Sequence, residues 1–280
     1  MTAVRMRRTA KACWALFKIR VAEQLQYRAT ALASTCIGSM WALIHIVMFT
    51  VFFTYGNAAE SGYMSLQQAI SYAWLGQILY GFTSVSYNGM DSELHKSIVD
   101  GNIALELCRP LDLYWFWFAK TAANMVGFTV WWAIFTLVVA LLVPSAVGLA
   151  APQSVAGFLL FLLSIFSAFL LTIAYAMLLT AVRIGLSWGD GPIQALAMFG
   201  AVLSGGFLPL QLWPNFMQNL LLMQPFAGIR DIPLRLYVGT MPPAEAPFAL
   251  ALQLIWLLIF ITAGCLLMAR KLRHVVVQGG

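Results

Sequence analysis

Apolar residues in this chain come in long unbroken runs, and the polar ones gather between them. Thr30 to Thr54, Ala69 to Met90, Tyr114 to Val143, Ser154 to Val182, Pro192 to about Leu208 and Phe248 to Ala269 are each dominated by apolar side chains. A helix needs about 20 such residues to cross a bilayer core, so the pattern predicts six transmembrane helices. The connections carry signals of their own. Tyr55 to Gln67 is a short polar loop, Pro144 to Pro152 turns the chain, and Ser187 to Gly191 makes a tight return. There Asp190 is placed to cap the fifth helix, with Pro192 in its first turn, where a missing N–H does no harm.

Two stretches depart from this alternation. Residues 1–29 carry Arg5, Arg7, Arg8, Lys11, Lys18, Arg20 and Arg28, with Trp14, Phe17, Val21 and Leu25 at helical spacing. That combination predicts a cytoplasmic amphipathic helix lying along the inner membrane surface; the plainer alternative is a basic tail that only fixes orientation. The other stretch is Leu208 to Pro247, which holds 7 of the chain's 11 prolines. No straight span passes through them, and Phe216 to Met223 is apolar but too short to cross. An external segment, 209–246, folded as a re-entrant helical hairpin is expected. The fold class is thus an all-α integral membrane protein, with the interface helix at 1–29 and a six-span domain over 30–280.

Composition agrees: 61% of the 280 residues are hydrophobic and 9% charged, with a mean hydropathy of +0.83. A soluble domain needs no such apolar surface. The net charge of +6 would suit nucleic acid, but in a membrane protein basic residues are first sorted by side. With the amino terminus inside, 14 Lys and Arg fall on the cytoplasmic side, Lys120 at the start of span three counted with them, and only Arg230 and Arg235 fall outside. Both termini are then cytoplasmic, and no nucleic-acid partner is implied. A seventh span would throw the basic tail Arg270, Lys271 and Arg273 outward. The basic amino terminus lacks the apolar core of a signal peptide. Cys13, Cys36, Cys108 and Cys265 form no CxxC pair, which predicts neither disulfide nor metal site.

With Lys120 assigned to the cytoplasmic side, the spans hold no acid or cation and one imidazole, His45. Proton relays and ion-coupled carriers place ionisable groups at membrane depth, so such a carrier is not expected. His45 is read as hydrogen-bonded to a neighbouring helix, with a relay or ligand role as the alternative. The chain has no HExxH, no GxSxG, no paired intramembrane aspartates and no GxxxxGK[ST]. It is expected to be no enzyme and to hold no cofactor or metal of its own.

The long polar island between spans two and three, Asp91 to Leu113, reads as two stubby helices. Asp91 or Ser92 caps the first and Gly101 closes it; Asn102 caps the second, which Arg109-Pro110 stops. Leu94 and Ile98 give the first helix an apolar edge, while Glu93, Lys96 and Asp100 keep the rest wet. It is read as a docking element for another protein, the plain connector being the alternative.

Three stretches together resemble the permease subunits of bacterial type-2 ATP-binding-cassette exporters: ALFKIRVAEQLQYRA at Ala15 to Ala29, GNIALELCRPL at Gly101 to Leu111, and LSGGFLPLQLWPNFMQNLLLMQPFAGI at Leu203 to Ile229. The resemblance implies a multi-pass protein of the bacterial inner membrane that forms half of a translocation path. It implies a separate ABC ATPase subunit holding ATP and Mg, and a second permease chain, either a different one or another copy. The loop 91–113 would be its coupling element, with Ser92, Glu93, Leu94, His95, Lys96, Ile98 and Asp100 facing the ATPase. In that family spans two and five tend to face the central path. Carried over, Tyr72, Tyr80, Phe199, Leu203 and Phe207 would line it, and their scarcity of charge suits an amphipathic or lipid-like substrate among membrane lipids. The alternative for these five is helix packing, which small neighbours such as Gly76, Gly81 and Ser84 also favour. A non-transporting scaffold or assembly factor is the competing function, and it need not bring down an ATPase.

Overall fold

The computed structural model of the protein describes residues 3–26, 28–55, 64–84, 112–184 and 191–273, with side chains from residue 9 and, in the second helix, from residue 36. Every regular element among them is helical. In chain order these are α1 (Ala3–Leu25), α2 (Arg28–Tyr55), α3 (Leu66–Ile78), a single turn at Tyr80–Thr83, α4 (Leu113–Leu142), α5 (Val155–Arg183) and α6 (Gly191–Leu203). A 3-10 turn (Leu210–Leu212), α7 (Asn215–Met223), a second 3-10 turn (Pro225–Gly228), α8 (Asp231–Val238) and α9 (Ala246–Leu272) complete the series.

Among the described residues, four helices are long and apolar enough to cross a membrane: the Cys36–Tyr55 part of α2, α4, α5 and α9. They fall where spans one, three, four and six are predicted. Local chemistry sets their ends. The Gly157 N–H donates to the Ser154 hydroxyl at 3.0 Å to cap α5, and the Trp115 N–H donates to the Asp112 carboxylate at 3.3 Å to cap α4. The predicted Asp190 cap and the coupling residues Ser92 to Asp100 lie outside the described residues.

The described helices at the positions predicted for spans two and five are shorter than the apolar runs there. Helix α3 has 13 residues and breaks at Leu79, whose φ of −95° and ψ of 13° leave helical geometry before one further turn forms. Its start is fixed by a capping box: the Gln68 N–H donates to Ser65, and the Ser65 N–H to the Gln68 side chain. All ten residues from Ala69 to Ile78 are buried, the polar Ser71 and Gln77 among them. Helix α6 also has 13 residues, and Gly205, with φ of 81°, turns the chain beyond it. Apolar run length reports what surrounds a segment; it does not report where the backbone turns.

Helix α1 follows α4 lengthwise. Cys13 Sγ donates to the Trp115 carbonyl at 3.6 Å, and further along both helices Trp131 Nε1 donates to the Leu25 carbonyl at 3.1 Å. A Cβ on Gly127 would run into Gln24 between them, so the glycine permits the close approach. The same helix corrects the expectation of charge-free spans. Lys120 lies two turns inside α4, 8% exposed, with Nζ 4.1 Å from the centre of the Trp117 ring. An aromatic face offsets part of the cost of its burial.

Helices α5 and α9 pack along each other, joined by Gln253. Its amide donates to the carbonyls of Gly228 (2.7 Å) and Ser164 (3.3 Å) and accepts from the Ser164 hydroxyl (3.2 Å). The connection after α4 clasps the start of α3: Trp74 Nε1 donates to the Val147 carbonyl at 2.7 Å, and the Ala150 N–H to the Ser71 hydroxyl at 3.1 Å. Tyr237, near the end of α8, donates to the Ala150 carbonyl at 3.2 Å. The start of α3, the loop after α4 and the end of α8 therefore meet at one end of the molecule.

The proline-rich stretch between α6 and α9 forms short helices in a closed loop. The Gln224 amide donates back to the Leu203 carbonyl at 2.7 Å, and Gln218 donates to the carbonyls of Gln211 and Trp213, both at 2.9 Å. These side chains supply the hydrogen bonds that prolines deny to the backbone.

Candidate functional site

Counting charge by side places Arg230 and Arg235 outside, and the structure buries both in the protein: Arg230, Asp231 and Arg235 are 8%, 0% and 6% exposed. Burying charges is costly unless they are paired and hydrogen-bonded. Two of these three are.

Asp231 opens α8, and Arg235 stands one turn further on the same face, Nη1 3.6 Å from Oδ2. The other carboxylate oxygen accepts the Leu210 N–H at 3.0 Å and the Tyr72 hydroxyl at 3.1 Å. The Gly205 carbonyl, 3.2 Å from the same hydroxyl, shares its single proton. Burial pushes the Asp231 carboxyl above its ordinary range, while Arg235, the Leu210 N–H and the Tyr72 hydroxyl pull it back. Arg235 has a second support. With its amide oxygen turned toward the guanidinium, Gln211 accepts from Nε at 2.9 Å and Nη2 at 2.8 Å and donates to the Thr240 hydroxyl at 3.1 Å. Gly205 is required here: a Cβ on it would lie 2.5 Å from the Tyr72 oxygen and 3.2 Å from Asp231 Oδ1. Gly239 ends α8 in left-handed geometry, φ 77°, against Gln153. One buried cluster thus ties α3, the turn after α6 and α8.

Next to it lies a small cavity of about 10 Å³, roughly what one water-sized group needs. His45, Phe49, Tyr72, Gln77, Phe207 and Arg230 form its walls, with backbone at Gly205 and Gly206. His45 Nδ1 donates to the Trp41 carbonyl of its own helix at 2.7 Å, and its ring also meets the Gly206 backbone of the turn after α6. Its ring reaches the cavity because the i−4 carbonyl holds it there.

Of the five path residues inferred from sequence, Tyr72 and Phe207 meet at this cavity. Tyr80 stacks on Trp132, ring centres 5.5 Å apart, and Leu203 lends its carbonyl to Gln224. Phe199 points away, 66% exposed on α6. The residues that patterning missed, Asp231 and Arg235, did carry a signal: an acid and a base four apart on a short helix inside an otherwise apolar stretch. No cluster of three metal-ligating side chains occurs among the described residues.

Comparison with curated proteins gives no match. The helical frame, with its four long apolar helices and the hydrogen-bonded polar cluster before the last of them, is covered from residue 39 to residue 279 by the family model of the ABC-2 family transporter proteins, and the chain is a membrane permease belonging to that family.

Proposed function

We propose that this chain is half of an ATP-driven exporter, coupling a separate ABC ATPase to a path shared with a second permease chain, for an amphipathic or lipid-like substrate. Six passages of the membrane leave both termini in the cytoplasm of a bacterial cell, α3 and α6 belong to the second and fifth, and the segment 209–246 dips into the outer leaflet and returns. ATP and Mg reside on the ATPase, and this chain performs no chemistry of its own.

The observation that supports this most is the Asp231 cluster. Helix α3 leads through the Tyr80–Thr83 turn toward the loop 91–113, and its other half is bonded through Tyr72 to the outer segment at Asp231 and Gly205. A push delivered on Leu94 and Ile98 therefore reaches the outer end of the path through a buried helix and charge-assisted bonds.

The test is copurification from membranes of the native host. The parent chain is expected to bring down an ATPase whose hydrolysis responds to amphipathic substrates, and the double variant Leu94→Asp, Ile98→Asp to lose it, because charge placed in a packed contact costs a few kcal/mol. Normal association and transport by the double variant would refute the coupling assignment.

A further inference from the structure

The Asp231 cluster satisfies its own charges, and Arg230 stands apart from it. Arg230 is 8% exposed, its Nε has no hydrogen-bond partner, and no carboxylate pairs with it among the described residues. The adjacent carboxylate, Asp231, is already engaged by Arg235, Leu210 and Tyr72. A guanidinium does not shed its proton in a protein, and a buried charge without a partner costs several kcal/mol.

The surroundings keep space open around this cation. Its guanidinium lies against Gly76 of α3, where a Cβ would collide with it, and Nη1 is 3.3 Å from where a Cβ of Gly206 would stand. It forms one wall of the cavity described above, whose rim includes Phe207, 44% exposed, and half-buried His45. The remaining walls, Phe49, Ala73, Tyr72 and Gln77, bring no negative charge.

We propose that Arg230 holds an oxyanion, a phosphate or carboxylate group, whose oxygen enters this cavity while the rest of its molecule remains at the Phe207 rim. A planar guanidinium matches such groups with parallel hydrogen bonds, and the cavity admits an oxygen but not a whole headgroup. The anion completes the charge balance that the protein leaves open. An amphipathic headgroup and free phosphate share this chemistry. The site goes beyond the exporter reading and does not rest on it: it stands if no ATPase copurifies.

Thermal unfolding of the full chain in uncharged micelles tests it, with decyl phosphate, decyl maltoside and inorganic phosphate as probes. Decyl phosphate is expected to raise the unfolding temperature saturably and decyl maltoside not to. In Arg230→Gln half-saturation should weaken roughly 10- to 100-fold, the loss of charge-assisted bonds, with Arg230→Lys in between. Without ligand, Arg230→Gln should unfold no lower than the parent, since it removes an unpaired charge. A second measurement leaves Arg230 intact: in Phe207→Cys, decyl phosphate should slow thiol alkylation at position 207. Protection by decyl phosphate alone assigns the anion to an amphiphile, and equal protection by inorganic phosphate assigns it to the free ion. Unchanged half-saturation in Arg230→Gln, or neither stabilisation nor protection in the arginine-bearing protein, would overturn the site.

Discussion

Replacing Asp231 by Ala tests the physics of the buried cluster most directly. The change strips Arg235 of its ion-pair partner and leaves the Leu210 N–H and the Tyr72 hydroxyl without their carboxylate acceptor. Removing one partner of a buried pair costs about 3–5 kcal/mol. Gln211 still accepts two bonds from Arg235 and the Gly205 carbonyl still takes the Tyr72 proton, so the lower half of that range applies, about 3–4 kcal/mol. In a chain somewhat larger than 150–250 residues, each kcal/mol lowers the unfolding temperature by roughly 2–4 °C at most, which gives a fall of no more than roughly 6–16 °C. Tyr72→Phe removes one hydroxyl and should cost about 1–2 kcal/mol as a bond to a charged group. Since both changes delete the same bond, the double variant Asp231→Ala, Tyr72→Phe should fall short of the sum by about 1 kcal/mol. Tryptophan-monitored unfolding in detergent, run on all four proteins, measures the cycle. A loss below about 1 kcal/mol for Asp231→Ala, or strict additivity with Tyr72→Phe, would refute the cluster as a stabilising tie.

Gly205→Ala should destabilise by at least the ~1 kcal/mol that a left-handed backbone exacts from a side chain, and by more because its Cβ would press on Tyr72 and Asp231; the same unfolding assay reads it, and a neutral result would contradict the geometry. For topology, an impermeant thiol reagent applied to intact cells should label Ala244→Cys, which is exposed, and spare Gln278→Cys; labelling at position 278 from outside would sink the six-span arrangement. Arg235→Cys should label far more slowly than Ala244→Cys despite lying in the same segment, because position 235 is 6% exposed, and equal rates would contradict its burial.

Much of this architecture follows from the order of residues alone. Apolar runs long enough to cross a bilayer placed α2, α4, α5 and α9, because hydration of backbone and side chains leaves such runs no other stable environment. Prolines between Leu208 and Pro247 predicted short helices in place of a span, and short helices form. The family resemblance rested partly on this proline-rich stretch and partly on the polar segments Ala15 to Ala29 and Gly101 to Leu111. What the sequence withheld was partnership between distant groups. Counting charge by side made Arg230 and Arg235 loop residues, since a one-dimensional pattern measures local hydropathy and cannot register that Tyr72, 159 residues from Asp231, arrives to share its carboxylate. The early end of α3 at Leu79 and the lengthwise seat of α1 on α4 have the same origin: each is set by what packs alongside. Tertiary structure therefore decided where the buried charges meet, and which of them, Arg230, is left facing a cavity.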